Sequence, residues 1–313
     1  MGQETQRWES RIGRRLKLRD LHILSVVVRW GSMAKAASQL AMSQPAVSES
    51  IASLEATLGV RLLDRTPRGI EPTFYSHALL RRSNIVFDEL MQGVKEIEFL
   101  ANPKVGEIRV ATGDTGAAGL LVPAIDGLSQ RYPEICIRVT SASAEPLAYP
   151  ELRERKVDVV LARISRSFAH ADLDVETLFE DPPRVVAGAL SPWARRRKVT
   201  LADLVNEKWT LTSDEVIHDL VSDAFESNGL PAPRETVTAS SMLLRSRLLA
   251  TGRYLTVLPA SVLRYNAKQW ALKALPVDLQ MKPMCVTLVT LKNRTVSPAV
   301  RLFIDEIRAI TRR

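Results

Sequence analysis

Apolar residues between positions 44 and 58 recur at the spacing of an amphipathic helix. At intervals of four, three and four, they are Val47, Ile51, Leu54 and Leu58. This spacing places them on one stripe that faces a core. Ser43 precedes the helix as a capping residue, and Gly59 suits the position after its last turn. A shorter helix capped by Ser32 comes first, so residues 32–59 predict a helix-turn-helix.

The outer face of the second helix carries small or hydrogen-bonding side chains. Pointing away from the apolar stripe are Pro45, Ala46, Glu49, Ala52 and Ser53, and the stripe is flanked by Gln44 and Ser48. With the cap, the residues of this helix predicted to bind DNA are Ser43, Gln44, Pro45, Ser48 and Glu49. Such side chains let a helix lie close in the major groove of DNA and contact base edges. Pro45 falls in the first turn, where its missing N–H is harmless. The alternative is a helical hairpin with a solvated outer face, although such faces normally carry more Lys and Glu.

Short apolar pieces surround a Pro-Arg-Gly turn at residues 67–69, as in a two-stranded β-wing. Arg65 and Arg68 lie near its tip. Two guanidinium groups beside a reader helix suit contacts with DNA phosphates or the minor groove, and a solvated turn is the alternative. With a first helix from Leu18 to Arg29, the pattern predicts a winged helix-turn-helix over residues 18–72.

A single long helix is predicted over residues 73–102, because this stretch contains one glycine and no proline. Its apolar residues follow heptad-like spacings of seven, three, four, three and four, and are Leu80, Phe87, Leu90, Val94, Ile97 and Ala101. Such a seam predicts pairing with a second copy, hence a homodimer or homotetramer. Packing onto its own chain is the alternative. Residues 102–106 are typical of a linker.

After residue 106 the pattern changes to short strands alternating with helices, which is typical of an α/β domain with a mainly parallel sheet. A second, similar set follows, and the chain then returns to the first. The predicted fold class is α/β, with one lobe formed by residues 107–163 and 288–313 and another by residues 164–287. Small molecules usually bind in the cleft that such lobes leave at their strand ends.

The formal net charge of the 313-residue chain is +8 and is unevenly distributed. Residues 1–87 contain 13 Lys and Arg against 7 Asp and Glu, whereas residues 88–313 contain 30 against 28. A basic winged helix-turn-helix attracts DNA phosphates through counterion release. Residues 1–17 are predicted to be a flexible basic arm, for which contact with the DNA backbone and a merely solvated extension both stay open.

Targeting and cysteine patterns predict a reduced, cytoplasmic protein without a membrane partner. The first twenty residues are basic and lack the apolar run of a signal peptide. No stretch reaches the roughly 20 apolar residues that span a bilayer. Cys136 and Cys285 lie 149 positions apart without a Cys-x-x-Cys partner, so neither a disulfide framework nor a zinc site is expected. Both are predicted to be reduced core residues.

Motifs for catalysis and cofactor binding are weak. Residues 113–119 follow a strand and precede a helix, but they lack the G-x-G spacing of a dinucleotide-binding turn. The four histidines belong to no metal-ligand pair or nucleophile motif. We therefore expect no enzyme activity, catalytic residue, cofactor or metal. The rival interpretation is a small-molecule-binding module or enzyme whose N-terminal helices only mediate oligomerisation.

In the order of its elements, the chain resembles the LysR-type transcriptional regulators over nearly its full length. The most specific stretches are Ala36-Ala37, Ser43–Ser48, Leu54-Glu55, Leu58-Gly59 and Leu62–Arg65. The resemblance implies that Gln44, Pro45, Ser48 and Glu49 approach the major groove. It likewise implies that Arg65 and Arg68 approach the backbone or minor groove of double-stranded DNA.

The sequence departs from the family pattern at two positions, and one of its stretches is similar to a subgroup of the family. The family often has a basic or amide residue where Glu49 stands; a carboxylate could accept a hydrogen bond from a cytosine amino group but is repelled by phosphate. Ser76 replaces a glycine after the wing, which puts the start of the long helix in question. Residues 67–80 resemble a subgroup that includes regulators of sugar use.

The resemblance also implies a C-terminal region similar to type 2 periplasmic binding proteins, with a small-molecule effector between its lobes. Carried onto this sequence, the effector-binding residues are Thr112, Asp114, Thr115, Ser141, Ser143, Thr212, Ser213, Asp214, Ser240 and Ser241. Hydroxyl groups and few charges favour a neutral, hydroxylated effector such as a sugar. No arginine enters this set, so a dicarboxylate is less favoured. Any one Ser or Thr could instead be a helix cap.

Overall fold

The computed structural model describes residues 15–66, 69–142, 149–164, 170–213 and 215–312. The chain divides into two compact units, residues 1–91 and 92–313, and the division falls within one long helix. None of the helices in the described ranges is long and apolar enough to cross a membrane.

The first unit is a winged helix-turn-helix, as the sequence predicts. Its elements are α1 (Leu18–Trp30), α2 (Met33–Gln39), α3 (Gln44–Leu58), β1 (Leu63–Thr66), β2 (Gly69–Pro72) and the start of α4 (Phe74–Ala101). Both predicted N-caps are confirmed, because the Lys35 amide donates to Oγ of Ser32 (3.4 Å) and the Ala46 amide donates to Oγ of Ser43 (3.3 Å). Each cap satisfies an amide that the helix itself leaves unpaired.

The core of this unit lies where α1, α2 and α3 meet. The fully buried side chains there include Leu24, Val27, Ala36 and Val47. The wing is fixed to this core through its backbone, since the Ile70 amide donates to the carbonyl oxygen of Gly31 (3.0 Å). At Gly69 a Cβ would lie only 2.8 Å from that oxygen, so a larger residue there would push the wing away.

The second unit contains two five-stranded sheets, each the centre of one lobe. Lobe I has the sheet order β4-β3-β5-β12-β6, and lobe II has the order β11-β7-β10-β8-β9. The strands are β3 (Gly106–Thr112), β4 (Ile135–Ser141), β5 (Val159–Ile164), β6 (Leu173–Asp181), β7 (Pro183–Gly188), β8 (Trp209–Leu211), β9 (Glu235–Thr238), β10 (Leu255–Pro259), β11 (Leu272–Ala274) and β12 (Met284–Leu291).

Helices cover both sheets. A π-helical turn (Ala117–Leu121) separates α5 (Asp114–Gly116) from α6 (Val122–Arg131), and a 3₁₀ turn occupies Pro192–Arg195. The remaining helices are α7 (Pro150–Arg153), α8 (Leu201–Leu204), α9 (Glu215–Glu226), α10 (Met242–Ala250), α11 (Ala260–Asn266) and α12 (Pro298–Thr311). Phe303 of α12 packs into the lobe I core, and Trp209 packs edge-on to Phe225 in lobe II at a centroid distance of 5.6 Å.

The sheets are mixed, so the prediction of a mainly parallel sheet is wrong. In lobe I, β3 is parallel to β4 and β5, whereas β12 is antiparallel to both β5 and β6. In lobe II, β8 is parallel to β9 and β10, but β7 is antiparallel to β10 and β11. Each lobe therefore contains parallel strands, which are connected by helices, and antiparallel strands. The antiparallel strands lie near the two points at which the chain passes from one lobe to the other.

The lobe boundaries also differ from the expected positions 164 and 288. Strand β6 belongs to the lobe I sheet, so the chain first crosses to lobe II after Asp181, and it is back in lobe I by Met284. The sequence reasoning assigned no strand to β6, although Leu173, Asp174, Val175 and Glu176 alternate between apolar and acidic side chains as in a strand with one exposed face. The cysteine prediction is partly wrong as well, since Cys136 is exposed on an edge strand.

Candidate functional site

Helix α3 separates an inward apolar stripe from an outward polar face. Val47, Ile51 and Leu54 are at most 3% exposed, whereas Gln44 and Glu49 are exposed. Three of the predicted DNA-binding residues, Gln44, Pro45 and Glu49, therefore lie on the solvent-facing surface, and Ser48 is half-buried beside them. Ser43 is exposed, but its hydroxyl oxygen already accepts from the Ala46 amide.

Glu55 holds the wing next to α3, a role that the sequence pattern did not assign. Its Oε1 accepts hydrogen bonds from the amides of Leu62 (2.7 Å) and Leu63 (3.3 Å). A carboxylate that accepts hydrogen bonds from two backbone amides holds that stretch of backbone firmly in place. This contact fixes the start of β1 relative to the recognition helix.

The arginine wing is present as a hairpin in which Arg65 pairs with Ile70. The side chain of Arg65 and the whole of Arg68 lie outside the described residues, so their contact with DNA stays a prediction. The doubt about the start of α4 is resolved by Thr73. Its hydroxyl oxygen accepts from the Ser76 amide (3.2 Å), and its hydroxyl donates to the Arg61 carbonyl (2.9 Å). Helix α4 therefore begins at Phe74 although position 76 is a serine.

The predicted seam of α4 divides into two parts. Leu80 and Phe87 pack against the core of the first unit, which matches the alternative of packing onto the same chain. Farther along, Leu90, Val94 and Ile97 are 49%, 50% and 68% exposed. A run of exposed apolar side chains on one helix marks an interaction surface.

Between the lobes lies a cleft of about 880 Å³. Seven of the ten predicted effector-binding residues line it: Asp114, Thr115, Ser141, Thr212, Ser213, Ser240 and Ser241. Ser143 and Asp214 lie outside the described residues. Thr112 does not fit its predicted role, because its side chain is 3% exposed and its hydroxyl donates to the Leu161 carbonyl (2.9 Å) within lobe I.

Several hydrogen bonds connect the lobes beside this cleft, including the two that Ser261 of α11 donates to Asp181 of β6. The Met242 amide at the start of α10 donates to Oδ2 of Asp114 (3.0 Å). The Asn266 side-chain amide of α11 donates to the Ala118 carbonyl (2.6 Å). Asp114 thus places a carboxylate at the positive end of a helix from the other lobe. Ser241, the N-cap of α10, accepts from the Leu244 amide (3.3 Å).

The cleft contains basic side chains that the sequence reasoning missed. Arg163, Arg245 and Lys282 all line it, which contradicts the expectation that no arginine enters the site. Arg163 pairs with the buried Asp181 (3.6 Å). Burial lowers the pKa of the Arg245 guanidinium, and the negative charge of Asp114 opposes that shift. The spacing of residues along α10 could have indicated this arginine. Arg245 lies three residues after Met242 and four before Leu249, so it shares the helical face of these two buried residues.

The rest of the lining is largely apolar, with Leu120, Leu161, Val257 and Met284 among its residues. Tyr149 adds a buried aromatic ring. Its pKa rises to about 12, first because of burial and then because of Glu151. Across the part of the chain that the structure describes, no three His, Cys, Asp or Glu side chains gather as metal ligands.

Two family models match the chain. The model described as "LysR substrate binding domain" matches residues 101–312. The model described as "Bacterial regulatory helix-turn-helix protein, lysR family" matches residues 18–75. The HTH-type transcriptional regulator GbpR of Azospirillum brasilense is 26% identical over 297 residues, which cover 94% of this chain and 86% of that protein.

Solved structures share the fold. A full-length OxyR variant from Pseudomonas aeruginosa matches with a TM-score of 0.64 at 19% identity, over 94% of this chain and 95% of that one. Full-length CbnR, solved in complex with its target DNA, matches with a TM-score of 0.53 at 22% identity, over 95% of this chain and 100% of that one. At these identities the similarity establishes the architecture alone.

Proposed function

Because this chain belongs to the LysR family of transcriptional regulators, we propose that it reads an inverted-repeat promoter site as a pair of α3 helices under the control of a small effector. It is a DNA-binding transcriptional regulator with an effector-binding domain. The observation that carries the proposal is α3 itself, whose apolar stripe is buried while Gln44, Pro45 and Glu49 face outward. A protein that binds DNA must be located in the compartment that contains the DNA, which agrees with the expected cytoplasmic location.

In the proposed DNA contact, base edges and phosphates are met by different residues. Gln44 and Ser48 contact base edges, since amide and hydroxyl groups donate and accept hydrogen bonds there. Arg65 and Arg68 contact phosphates or the minor groove. The hydrogen bonds from β1 to Glu55 support this division, because they fix the wing beside the reader helix.

Pairing of two chains follows from α4 in this proposal. Its exposed apolar residues Leu90, Val94 and Ile97 bury their surface in a homodimer, and a second contact makes a homotetramer from two dimers. A C2 dimer presents its two reader helices with the same symmetry as an inverted repeat. The DNA-reading head is assigned to residues 18–72 and the pairing helix to residues 73–102.

Control by an effector is assigned to the cleft between the lobes. The hydrogen bonds that Met242 donates to Asp114 and that Asn266 donates to Ala118 join the lobes at its edge. A ligand that binds better to one arrangement of the lobes shifts the population toward it. Through α4, that shift changes the placement of the paired heads.

Enrichment of random double-stranded DNA on the full chain tests this function, and we expect one preferred sequence that contains an inverted repeat. The double variant Gln44→Ala, Ser48→Ala should enrich no single sequence, while the matched variant Ser38→Ala, exposed on α2, should enrich the same one as the wild type. Failure of the wild-type chain to enrich any sequence would favour the rival module whose N-terminal helices only mediate oligomerisation.

A further inference from the structure

Arg245 is a buried cation in the wall of the cleft. It lies in the first turn of α10 and is 4% exposed, and it lines the space between the lobes. Arginine is almost never fully buried unless it is paired with an anion. Its position therefore calls for an acceptor inside the cleft.

The described side chains supply no such acceptor at bonding distance. Nε of Arg245 is buried and has no hydrogen-bond partner, and Nη2 lies 4.0 Å from the sulfur of Met242. In the described ranges, no carboxylate forms an ion pair with this guanidinium within 4.0 Å. Asp114 influences it from farther away, and Oδ2 of Asp114 already accepts from the Met242 amide.

The other charged groups of the wall leave it positive. Arg163 has its own partner in Asp181, which also accepts from the amide (2.9 Å) and hydroxyl (2.6 Å) of Ser261. Lys282 is exposed at the margin of the cleft. With Arg163 paired to Asp181, the charged groups left among the described lining residues are Arg245, Lys282 and Asp114, a net charge of one positive.

We propose that the effector is an organic monoanion, a carboxylate on an apolar body, and that Arg245 binds the carboxylate. This assignment rests on the proposed function and replaces the neutral, hydroxylated effector favoured by the sequence. A guanidinium presents a planar fork of donors that matches the two oxygens of a carboxylate. The apolar wall formed by Leu120, Leu161, Val257 and Met284 holds the remainder of the molecule.

The ligand-free protein should carry a stability cost at this position. An unpaired buried charge is strongly unfavourable, and its replacement by an apolar side chain of similar length relieves the penalty. We expect Arg245→Met to raise the thermal midpoint of the full chain without ligand. If Arg245 were instead a structural anchor, the same variant would lower it. The exposed Arg247, two residues along α10, gives the matched control Arg247→Met, with an unchanged midpoint.

Matched pairs of acids and amides test the ligand class on the full chain. The probes are benzoate against benzamide, phenylacetate against phenylacetamide and butanoate against butanamide, with glucose as a neutral polyol. We expect at least one carboxylate to raise the thermal midpoint more than its amide does, and Arg245→Met to weaken its binding by roughly 30-fold or more in calorimetry. Arg245→Lys should keep part of the preference, and Arg247→Met all of it.

A lowered thermal midpoint of ligand-free Arg245→Met would overturn the assignment, and so would either of two results of the ligand assays. One is that no carboxylate raises the thermal midpoint of the wild type more than its amide does, which includes the case in which only glucose raises it. The other is a carboxylate preference that survives undiminished in Arg245→Met. Neither result touches DNA reading, which the enrichment experiment measures separately, so the ligand class and the proposed function fail independently.

Discussion

Ser43 precedes α3 as its cap and Ser48 lies within it, and their hydroxyl groups have different surroundings. Ser43 accepts from the Ala46 amide and stabilises the start of α3. Ser48 is half-buried on the side of Gln44, where a hydroxyl suits a base edge. Both serines stand in the stretch that resembles the LysR family; the sequence already predicts Ser43 as the cap, and the hydrogen bond from Ala46 confirms it.

Replacement of Gln44 or Ser48 by alanine should reduce discrimination between DNA sequences. Each lost base contact costs about 1–3 kcal/mol of preference for the correct base, so the ratio of specific to non-specific affinity should fall by roughly tenfold. Competition gel shifts with the enriched site and a scrambled site measure this ratio. Ser38→Ala is the control, and an equal loss on both DNAs would contradict the role in reading bases.

The wing arginines should behave in the opposite way. Arg65→Ala and Arg68→Ala remove charges rather than base contacts, so affinity for all DNA should fall by similar factors. The slope of log affinity against log salt should become shallower by about one for each arginine. Fluorescence anisotropy over a salt series gives both quantities. A loss confined to the enriched sequence would show that these residues read bases instead.

Asp114 should stabilise the contact between the two lobes. Asp114→Ala removes the acceptor for the Met242 amide, and loss of such a helix-terminal bond costs about 1 kcal/mol. Urea unfolding should therefore show a lower midpoint than that of Asp126→Ala, an exposed aspartate of lobe I that bonds to Gln130 within its own helix. Equal midpoints for the two variants would show that the contact between lobes carries no stability.

At the scale of elements, caps and helical periodicity made the first unit predictable. Ser32, Ser43 and Gly59 fix where helices begin and end through their own backbone and side-chain chemistry, so local sequence suffices there. Strand β6 depends instead on pairing with β12, which lies about a hundred residues away in the chain. No local pattern reports such a partner, so the alternation of apolar and acidic residues at the start of β6 cannot assign the strand to either lobe.

Helix α4 should stop pairing when its exposed stripe is charged. Ile97→Glu places a carboxylate where two copies meet, and each copy loses about 1.5–3 kcal/mol of apolar burial. Sedimentation velocity should show a shift toward monomer. Asn84→Glu, exposed on the same helix, should leave the assembly unchanged. An oligomer of undiminished strength in Ile97→Glu would place the interface elsewhere.

For the whole molecule, the order of parts was predictable but the chemistry of the cleft was only partly so. Seven hydroxyl and carboxylate residues were correctly placed at its wall because they follow strand ends. Arg163 and Arg245 were missed because a strand interior and a buried helical face, rather than a loop, carry them. Helical spacing marks Arg245 as a residue of the buried face of α10, but its entry into the cleft becomes evident only once both lobes are assembled.

Two copies of the chain should read one symmetric DNA site, and hydroxyl-radical footprinting of the full chain on its enriched DNA measures this symmetry. We expect two protected half-sites related by a dyad, with their centres separated by one or more helical turns of about 10–10.5 base pairs. A single protected segment without two-fold symmetry, or no protection at all, would show that the chain does not read DNA as a symmetric pair.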